Sequence, residues 1–425
     1  MAVNSYIQEA GIERFASYQP GGFHPVHLGD KFKHGRYTVL NKLGYGSYST
    51  VWLVRDEVKS SYASLKILSA AASESSSGTE LEVLRHSASG SGAGKRYVLQ
   101  YLDDFTHRGP NGTHLCVVTE VSGPSLSSCL EGIFPFGELP SKFSRTFIPQ
   151  IAQGVEYLHS CDIVHGDLHM GNILYHSSVV NLHSQRDVER YFGQPETTTL
   201  RVIEGTTPPY DPPNVPRYVV YSPDSSLFLE PFFQDSSAAQ IKICDFSEAS
   251  LHDPAHPAGT KRTLNCPNVH AAPEVIFDDL ASPASDIWAM GNTMHQILTG
   301  GGTEGVTFIP GAERCSKDDV VSEMVRLLGK LPERWWSSWE ARSEYYDEEV
   351  RPVDGRKTSK VSEPLGSRIS TFYLPGEQKT LFEKVLKGIF CYEPRDRLCA
   401  SEVVTALLLL EGSQDTTSPA PAPAA

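Results

Sequence analysis

The sequence has no pair of cysteines at C-x-x-C spacing. Its eight cysteines lie singly along the chain, which argues against the common zinc and dithiol redox motifs. The chain also lacks a run of 18 or more apolar residues, so no transmembrane helix and no membrane partner are expected. The first 15 residues contain no apolar run of the secretory type. These absences predict reduced cysteines in a protein of the cytoplasm, the nucleus or both.

Positive charge is scarce as well. The chain has 37 lysine and arginine residues against 51 aspartate and glutamate residues, a formal net charge of -14. Nucleic-acid-binding surfaces are normally basic, so direct nucleic-acid binding is disfavoured and basic partners are favoured, although the charge also suits solubility alone. The chain shows no internal repeat, and its 425 residues are enough for two or three compact units.

The segment His165–Asn172, with the sequence HGDLHMGN, brings three chemically active side chains together. The Asp167 carboxylate could orient an attacking hydroxyl, the Asn172 amide oxygen could bind Mg2+, and His169 could act near a moving phosphate. The segment therefore predicts a phosphoryl-transfer site. By itself it is only moderately specific, because an H-x-D turn followed by an asparagine also arises by chance.

A glycine-bearing turn precedes this segment, between the predicted strands Tyr37–Leu43 and Thr50–Val54. Gly44 and Gly46 in the turn have no side chains, so backbone N–H groups there could approach phosphate oxygens. A plain hairpin turn is the alternative, and two glycines do not decide between them.

The next predicted strand, Tyr62–Leu68, places Lys66 among apolar residues, where a lysine needs a counter-charge. The helix predicted from Thr79 offers Glu80 as the preferred partner, because it shares the face of an inward leucine, and Glu82 as the alternative. Two further strands, up to Val121, would complete a mostly antiparallel sheet of about five strands.

A long insertion separates the catalytic segment from the next acidic motif. Seventy-two residues lie between Asn172 and Asp245, including the proline-rich stretch Thr207–Pro213. This is far longer than a connection requires, so residues from about 176 to 238 are predicted to be a partly disordered insertion. Within it, Tyr218–Tyr221 could form a strand.

Asp245 follows the short predicted strand Gln240–Cys244, and a carboxylate at a strand end could supply a second magnesium ligand. Asp286 could accept hydrogen bonds from neighbouring backbone amides. Apolar spacing predicts helices at Phe143–His159, Ser285–Thr299, Asp318–Leu328, Gln378–Phe390 and Ala400–Leu410.

These motifs, taken in chain order, resemble the protein-kinase signature set. The set comprises the glycine loop, Lys66, Glu80, His165–Asn172, Asp245-Phe246-Ser247, Ala272-Pro273-Glu274, the Asp286 helix and Arg397. Within that superfamily the chain resembles the serine/arginine-rich-protein kinases. The similar features are the lead Gly21–Asp30, the loop Leu43–Leu53, the segment Val325–Pro332 and the position of the insertion.

The resemblance implies an α+β, bilobal protein-kinase-like fold, with a small antiparallel β-sheet N-lobe carrying one helix and a mainly α-helical C-lobe. The expected boundaries are an N-terminal lead at 1–36, the N-lobe at 37–121, the C-lobe at 122–411 with the insertion at about 176–238, and a disordered tail at 412–425.

The resemblance also implies ATP and Mg2+ as cofactors and gives each site residue a role. Lys66, held by Glu80, would contact the α- and β-phosphates, while Asp167 would orient the substrate hydroxyl. Asn172 and Asp245 would hold the metal. The nucleotide would lie against Leu43, Gly44, Gly46, Val51, Glu120, Ser122 and Leu174. Glu274 would pair with Arg397. Leu84, His165 and Phe246 would stack, and this arrangement independently favours Glu80 over Glu82.

Three departures from the family bear on activity. Gly166 replaces the arginine that reads a phosphorylated activation segment, so that phosphate should not be needed. His169 replaces a lysine at the γ-phosphate and removes a fixed positive charge, which could lower the rate or make it depend on pH. Ser247 replaces a glycine and restricts the backbone. A catalytically weak pseudokinase is therefore one alternative to an active enzyme.

Protein substrates are expected, with arginine/serine-rich proteins as candidates and the chain acting as a monomer. Asp318 and Asp319 match the helix start at which the family holds basic peptides, whereas Arg326 would repel such a peptide. A small-molecule phosphotransferase is a further alternative, because the H-G-D-x-H-x-x-N pattern also resembles aminoglycoside and choline kinases. Glu274 and Arg397 argue for a protein kinase instead.

Overall fold

The computed structural model describes residues 6–75, 79–133, 141–177, 184–208, 210, 212–223, 228, 239–255, 259–299, 316–353 and 376–412. The chain divides into two compact units. Unit 1 comprises Met1–Ser89, Leu99–Pro124 and Tyr175–Ala239, and unit 2 comprises Gly90–Val98, Ser125–Leu174 and Gln240–Ala425. None of the helices in the described ranges is long and apolar enough to cross a membrane.

The strands, in chain order, are β1 (Lys31–Phe32), β2 (Tyr37–Tyr45), β3 (Ser49–Asp56), β4 (Ser61–Leu68), β5 (Tyr101–Gly109), β6 (Gly112–Thr119), β7 (Ile163–Val164), β8 (Ile173–Ser177), β9 (Thr197–Thr198), β10 (Val219–Val220), β11 (Ala239–Ile243), β12 (Ser250–Leu251), β13 (Thr260–Lys261) and β14 (Leu280–Ala281).

The α-helices are α1 (Ala70–Ser75), α2 (Thr79–Ser89), α3 (Leu126–Ile133), α4 (Ser141–Ser160), α5 (Gln185–Phe192), α6 (Pro273–Asp278), α7 (Pro283–Thr299), α8 (Lys317–Leu328), α9 (Glu333–Ser338), α10 (Arg342–Tyr345), α11 (Gly376–Ile389) and α12 (Ala400–Gly412).

Unit 1 is built on a six-stranded sheet with the strand order β1-β2-β3-β4-β6-β5. Every neighbouring pair is antiparallel, as the sequence predicts. Trp52, Leu65, Ile67 and Val118 are buried together in its core, because alternate residues of a strand face the same side. Strand β1 is the addition to the five expected strands, and its two residues are too few to show an alternating pattern.

The N-terminal lead and the insertion pack together within unit 1. Tyr6, Phe15 and Tyr18 of the lead share one buried apolar cluster with Val215 and Val219 of the insertion. Strand β10 occurs where the sequence suggested a strand, and it pairs with β9. The expected boundaries put the insertion in the C-lobe, whereas contacts group it with the sheet of unit 1. The physical reason is that its apolar side chains are buried against the lead.

Asn111 connects these parts at the turn between β5 and β6. Its side-chain Nδ2 donates hydrogen bonds to Phe23 O at 2.6 Å and to Asn214 O at 2.8 Å. Its Oδ1 accepts a hydrogen bond from Asn214 Nδ2 at 2.8 Å. The predicted hairpin turn is confirmed, and its asparagine links the lead to the insertion.

Unit 2 is mainly helical, and its long helices follow the predicted apolar spacing. Phe147, Ile151, Val155 and Leu158 of α4 are all buried, as one face of a helix requires. A second buried cluster contains Trp335, Trp336, Trp339, Tyr345 and Tyr346, which pack with Val321 and Val325 of α8. Of the predicted disordered tail, residues 413–425 lie outside the described residues.

Candidate active site

Lys66 and Glu80 form an ion pair in unit 1. Lys66 lies in β4 opposite Val51 of β3 and Val117 of β6. Its Nζ is 2.7 Å from Oε1 of Glu80, which begins α2 and is buried. Glu82 of the same helix is exposed. Glu80, and not Glu82, is therefore the partner that neutralises this lysine.

The glycine turn connects β2 to β3 and leaves open space around its backbone. Within the part of the chain that the structure describes, a Cβ atom placed on Gly44 would meet no other atom within 4 Å, and one on Gly46 would meet only Ser49 Oγ at 3.9 Å. The packing of these residues therefore does not explain the two glycines. The N–H of Gly46 already donates to Ser49 O at 2.9 Å. A ligand that comes close to the backbone would explain the missing side chains, because glycine is the residue that permits such an approach.

The other predicted nucleotide contacts fall in both units. Leu43, Val51, Glu120 and Ser122 lie in unit 1, and Leu174 lies in unit 2. Glu120 continues the pairing after β6, because its N–H donates to Gln100 O at 3.1 Å and its Oε1 accepts from Gln100 N at 2.9 Å. Its side chain is therefore committed, and recognition of a base here would rely on the backbone.

Asp286 of α7 fixes the start of the catalytic segment in unit 2. Its two carboxylate oxygens accept hydrogen bonds from the backbone N–H groups of His165 at 2.7 Å and Gly166 at 2.9 Å. Asp286 is only 2% exposed and also bonds to His159 Nε2 at 3.1 Å. The predicted role of Asp286 as an acceptor for neighbouring amides is confirmed.

Asp167 and Asn172 are held together in this segment. Asn172 Nδ2 donates to the backbone oxygen and to Oδ2 of Asp167, both at 2.9 Å. The other carboxylate oxygen, Oδ1, is buried and has no hydrogen-bond partner among the described residues. A buried acceptor without a donor is costly. Oδ2 of Asp167 is thus fixed by Asn172, whereas Oδ1 could accept a hydrogen bond from a substrate hydroxyl.

His169 lies beside Asp167 as a neutral ring. Its Nδ1 accepts a hydrogen bond from Gly171 N at 3.0 Å, so the ring proton is on Nε2. That Nε2 is 3.5 Å from Asp167 Oδ1. In this arrangement His169 supplies a neutral N–H group where the family pattern has a permanent cation.

His270 lies next to His169, with ring centroids 5.8 Å apart. Burial lowers the pKa of His270 to about 3, and the neighbouring imidazole of His169 acts in the same direction. Sequence reasoning missed His270, because nothing in its local pattern marks proximity to His169.

The chain between β11 and Asp245 is fixed to the catalytic segment. Cys244 N donates to Asn172 O at 2.9 Å, and His165 Nε2 donates to Cys244 O at 3.0 Å. Asp245 itself has a positive φ of 61°, a conformation that aspartate tolerates better than most residues. The rings of His165 and Phe246 are 5.3 Å apart, as predicted for two of the three stacking residues. The third, Leu84, belongs to unit 1.

The side chains of Asn172 and Asp245 fit a magnesium ion. Because the Asn172 amide nitrogen is used twice by Asp167, its oxygen remains for a cation. A carboxylate and an amide oxygen are hard donors of the kind Mg2+ prefers. The described residues contain no group of three or more His, Cys, Asp or Glu side chains arranged to hold a metal. Mg2+ usually keeps several waters and binds phosphate oxygens beside one or two protein ligands, and Asn172 and Asp245 would suit that arrangement.

Glu248 organises the chain after Asp245, a role that the sequence did not indicate. Its carboxylate accepts hydrogen bonds from the backbone N of Asn265 at 3.3 Å and from Nδ2 of the same residue at 3.1 Å. Arg262 lies 3.6 Å from it. Gly166 has a φ of +80°, and a Cβ there would lie 2.5 Å from Glu248 O. The local backbone therefore excludes the arginine that Gly166 replaces.

The acids suggested for substrate binding already have partners within unit 2. Asp318 Oδ1 accepts from Trp339 Nε1 at 2.8 Å, and Asp319 Oδ1 accepts from Tyr345 OH at 2.9 Å. Arg326 Nε donates to Glu323 Oε2 at 2.7 Å, so its charge is balanced locally. The donors to the two aspartates are neutral groups, so the expected role of Asp318 and Asp319 in binding a basic peptide stays a prediction. Glu323 reduces the repulsion that was expected from Arg326.

Glu274 and Arg397 form a buried, two-pronged ion pair. Arg397 NH1 and NH2 lie 2.6 and 2.7 Å from the two carboxylate oxygens of Glu274. Arg397 also donates to the backbone oxygens of Ala284, Cys391 and Tyr392. Each charge is thus fully compensated, which is the condition for keeping such a pair in a protein interior.

Two family models match the sequence around these features. The protein kinase domain model matches residues 37–202, and the model for protein tyrosine and serine/threonine kinases matches residues 235–327. Together the two matches span more than half of the chain. The chain belongs to the protein kinase family. The reaction of this family uses ATP and a divalent metal ion, and its members act on protein substrates.

Individual relatives identify this protein kinase further. It is 38% identical to the protein kinase dsk1 of Schizosaccharomyces pombe over 166 residues, which cover 38% of the chain and 30% of dsk1. It is 28% identical to a serine/threonine protein kinase of Aspergillus fumigatus over 410 residues, covering 92% of the chain and 89% of the relative. The serine/threonine-protein kinase SRPK of Physarum polycephalum is 24% identical over 91% of the chain and 88% of its own length.

The kinase therefore falls in the SR-protein-kinase-like group of serine/threonine protein kinases, as its loop and lead residues suggested. A solved crystal structure of a kinase domain superposes with a TM-score of 0.59, at 17% identity, over 90% of this chain and 98% of that one. At this identity the match shows the fold alone, and the predicted α+β protein-kinase fold is confirmed.

Proposed function

We propose that this kinase transfers the γ-phosphate of ATP to serine residues of arginine/serine-rich proteins, with Asp167 orienting the acceptor hydroxyl. The observation that carries the proposal is the state of the Asp167 carboxylate. One oxygen is held by Asn172, while the other is buried, makes no hydrogen bond with the described ranges of the chain, and has His169 Nε2 only as close as 3.5 Å. A substrate hydroxyl would satisfy that oxygen and be aligned for attack, which is the main contribution a protein makes to phosphoryl transfer.

Other residues of the site have roles that follow from their contacts. Lys66, neutralised by Glu80 at 2.7 Å, would bind phosphate oxygens of ATP, and the glycine turn, which has open space at Gly44 and Gly46, would let the phosphates approach the backbone. Asn172 and Asp245 would hold the magnesium ion, which supplies charge neutralisation at the phosphates when it is bound. His169 would donate its Nε2–H near the transferred group, a weaker stabiliser than a lysine cation.

Ser247 does not weigh against activity in the conformation observed. Its φ is not in the positive range, unlike that of Asp245 two residues earlier. A serine can therefore occupy the position without backbone strain. The motif Asp245-Phe246-Ser247 is compatible with an active arrangement, so an active enzyme is preferred here to a binding-only pseudokinase.

Arginine/serine-rich substrates are supported by charge and by similarity. The net charge of -14 favours basic peptides, and a relative, SRSF protein kinase 3 of Homo sapiens, is 36% identical over 163 residues. Asp318 and Asp319 are engaged by Trp339 and Tyr345. Replacing these two aspartates is therefore expected to weaken peptide binding less than high salt does, because salt screens the charge of the whole surface.

Phosphate incorporation into an arginine/serine peptide tests the proposal. The wild-type chain should phosphorylate it with Mg-ATP, and Asp167→Asn or Lys66→Met should abolish the reaction. Asp396→Asn changes an exposed carboxylate of unit 2 and serves as the matched control, which should keep full activity. Incorporation that persists in both site variants would disprove the assigned roles. Equal rates on a lysine/serine peptide and an arginine/serine peptide would disprove the substrate preference.

The proposal extends to location and assembly. A monomer in the cytoplasm or the nucleus would meet such substrates, and a fluorescent fusion and analytical ultracentrifugation of the full chain test these two points. A stable dimer, or a fusion confined to a membrane compartment, would contradict them.

A further inference from the structure

Lys42 is a buried cation placed immediately before the glycine turn. It lies in β2, its side chain is 0% exposed, and its Nζ is 5.4 Å from the ring centroids of both Tyr45 and Trp52. Burial lowers the pKa of Lys42, and the neighbouring carboxylate of Glu13 acts in the opposite direction. A lysine in such a place requires a specific partner, because an unpaired buried charge is strongly destabilising.

The partner comes from the N-terminal lead. Glu13 is 1% exposed, and its Oε2 accepts a hydrogen bond from Lys42 Nζ while its Oε1 accepts one from Tyr18 OH. All three groups lie inside unit 1. The ion pair Lys66–Glu80 is separate from this contact, since it joins β4 to α2. A residue outside the predicted N-lobe thus completes the charge balance of β2.

The position of Lys42 in the strand explains why the contact matters. The register between β2 and β3 shifts twice, between Val39 and Asn41 and between Lys42 and Gly44. A bulge leaves backbone unpaired and re-aims the chain that follows. Asn41 is anchored on the insertion by a hydrogen bond from its Nδ2 to Phe192 O at 3.4 Å. Lys42 is anchored on the lead by Glu13.

The glycine turn has little packing of its own to hold it. Gly44 has open space where a side chain would be, and Tyr48 at the tip of the turn is 71% exposed. Its placement must therefore come from the two strand ends. The bulged end of β2 is the less regular of the two, because β3 pairs with β4 without a shift from Ser49 to Asp56.

We propose that Glu13 is a positioning residue for ATP binding, which fixes the bulged end of β2 through Lys42 and so sets the glycine turn for the nucleotide phosphates. This inference rests on the proposed function, since it requires that the turn binds ATP. Glu13 itself contacts no substrate. It acts through Lys42, and its effect should appear in the affinity for ATP and not in the affinity for the peptide.

The test compares three variants of the full chain. Glu13→Gln leaves Lys42 without a counter-charge. The double variant Glu13→Gln with Lys42→Met removes both charges, which restores stability when a buried pair is replaced by neutral groups. Asp56→Asn is the matched control, because Asp56 pairs with Arg36 at 2.8 Å and is also buried, but at the opposite end of β2 and β3 from the turn.

A positioning role predicts a separation of two readouts. Glu13→Gln should raise KM for ATP about tenfold, less than the roughly hundredfold effect that a misplacement of about 1 Å can have, while KM for the peptide stays unchanged. The double variant should regain the melting temperature of the wild type and keep the raised KM for ATP. Asp56→Asn should lower the melting temperature and leave KM for ATP unchanged.

Two results would overturn the inference. If the double variant regains both stability and ATP affinity, Glu13 is merely structural. If Glu13→Gln keeps the wild-type KM for ATP, the glycine turn does not depend on the lead. Should Glu13→Gln fail to fold, the KM for ATP of the double variant decides between the two roles. If the wild type itself shows no Mg-ATP binding by calorimetry, the proposed function fails and this inference fails with it, whereas binding by the wild type limits any failure to Glu13.

Discussion

Acidification should destabilise unit 1 through His24, a histidine of the lead that the fold keeps neutral. The centroid of its ring lies 4.5 Å from that of His107 and 5.2 Å from that of His114. Its Nδ1 is buried without a hydrogen-bond partner among the described residues. Burial is the main reason that the pKa of His24 falls from 6.5 to about 3, and the nearby histidines His107, His114 and His27 add to the effect.

The sign and size of the effect follow from proton uptake. In the unfolded chain His24 takes up a proton near pH 6.5, whereas in the folded chain it stays neutral down to about pH 3. Between these values the unfolded state binds more protons, so stability falls as the pH falls. The cost is about 1.4 kcal/mol for each pH unit below 6.5. Lowering the pH from 7.5 to 5.0 crosses about 1.5 such units, so this one residue should lower the free energy of unfolding by about 2 kcal/mol.

Urea unfolding at pH 7.5 and at pH 5.0 measures the effect as a double difference. The wild type should lose about 2 kcal/mol more than His24→Gln on this shift of pH, and any cost of the substitution that does not depend on pH cancels. His86 of α2 is exposed, so His86→Asn should retain the full acid sensitivity of the wild type. If His24→Gln is as sensitive to acid as the wild type, the ring is not kept neutral by burial and the reasoning is wrong.

Three further predictions concern unit 2. Glu274→Ala leaves Arg397 charged in the interior and should lower the free energy of unfolding by about 3–5 kcal/mol, and a loss under about 1 kcal/mol in urea unfolding would show that the pair is not buried in solution. His169→Lys introduces a permanent charge, so it should raise the rate of phosphorylation or flatten its pH profile between about pH 6 and 8, while an unchanged profile would mean that His169 is only structural. Gly166→Arg places a side chain on a residue whose φ is +80° and whose Cβ would clash with Glu248 O. It should lower both the melting temperature and kcat, and the activity should not come to depend on a phosphorylated activation segment. Full activity of this variant would show that the backbone tolerates a side chain at this position.

Features encoded by local spacing could be predicted from the sequence. Apolar residues recur at regular short spacing in β2, β3 and β4 and on one face of α4. Such periodicity is the main signal by which a sequence predicts strands and helices. The choice of Glu80 over Glu82 followed from helix geometry, since only one of them shares a face with an inward leucine. The role of Asp286 as an acceptor for backbone amides followed from its place near a helix start.

Features that depend on distant partners could not be predicted in this way. The hydrogen bonds to Asp318 and Asp319 could not be predicted, because their donors, Trp339 and Tyr345, come more than 20 residues later and no regular spacing relates them. Strand β9 has two residues, too few for a periodic signal. The contact between Glu13 and Lys42 was not predicted, because no sequence spacing relates a residue of the lead to a residue of β2.

The meeting of the lead and the insertion constrains when unit 1 can be completed during synthesis. Tyr6 pairs with Val202 and bonds to Tyr210 O, so this part of the lead has partners that are made almost 200 residues later. At about 5–20 residues per second, the aromatic side chains of the lead would wait roughly 10–40 s for cover. The catalytic segment of unit 2 is translated within that interval, before the insertion can pack on the lead in unit 1. Nascent chains halted shortly before Val202 should therefore bind chaperones through the lead, and chains halted far enough beyond Tyr221 for that residue to have left the ribosome should not.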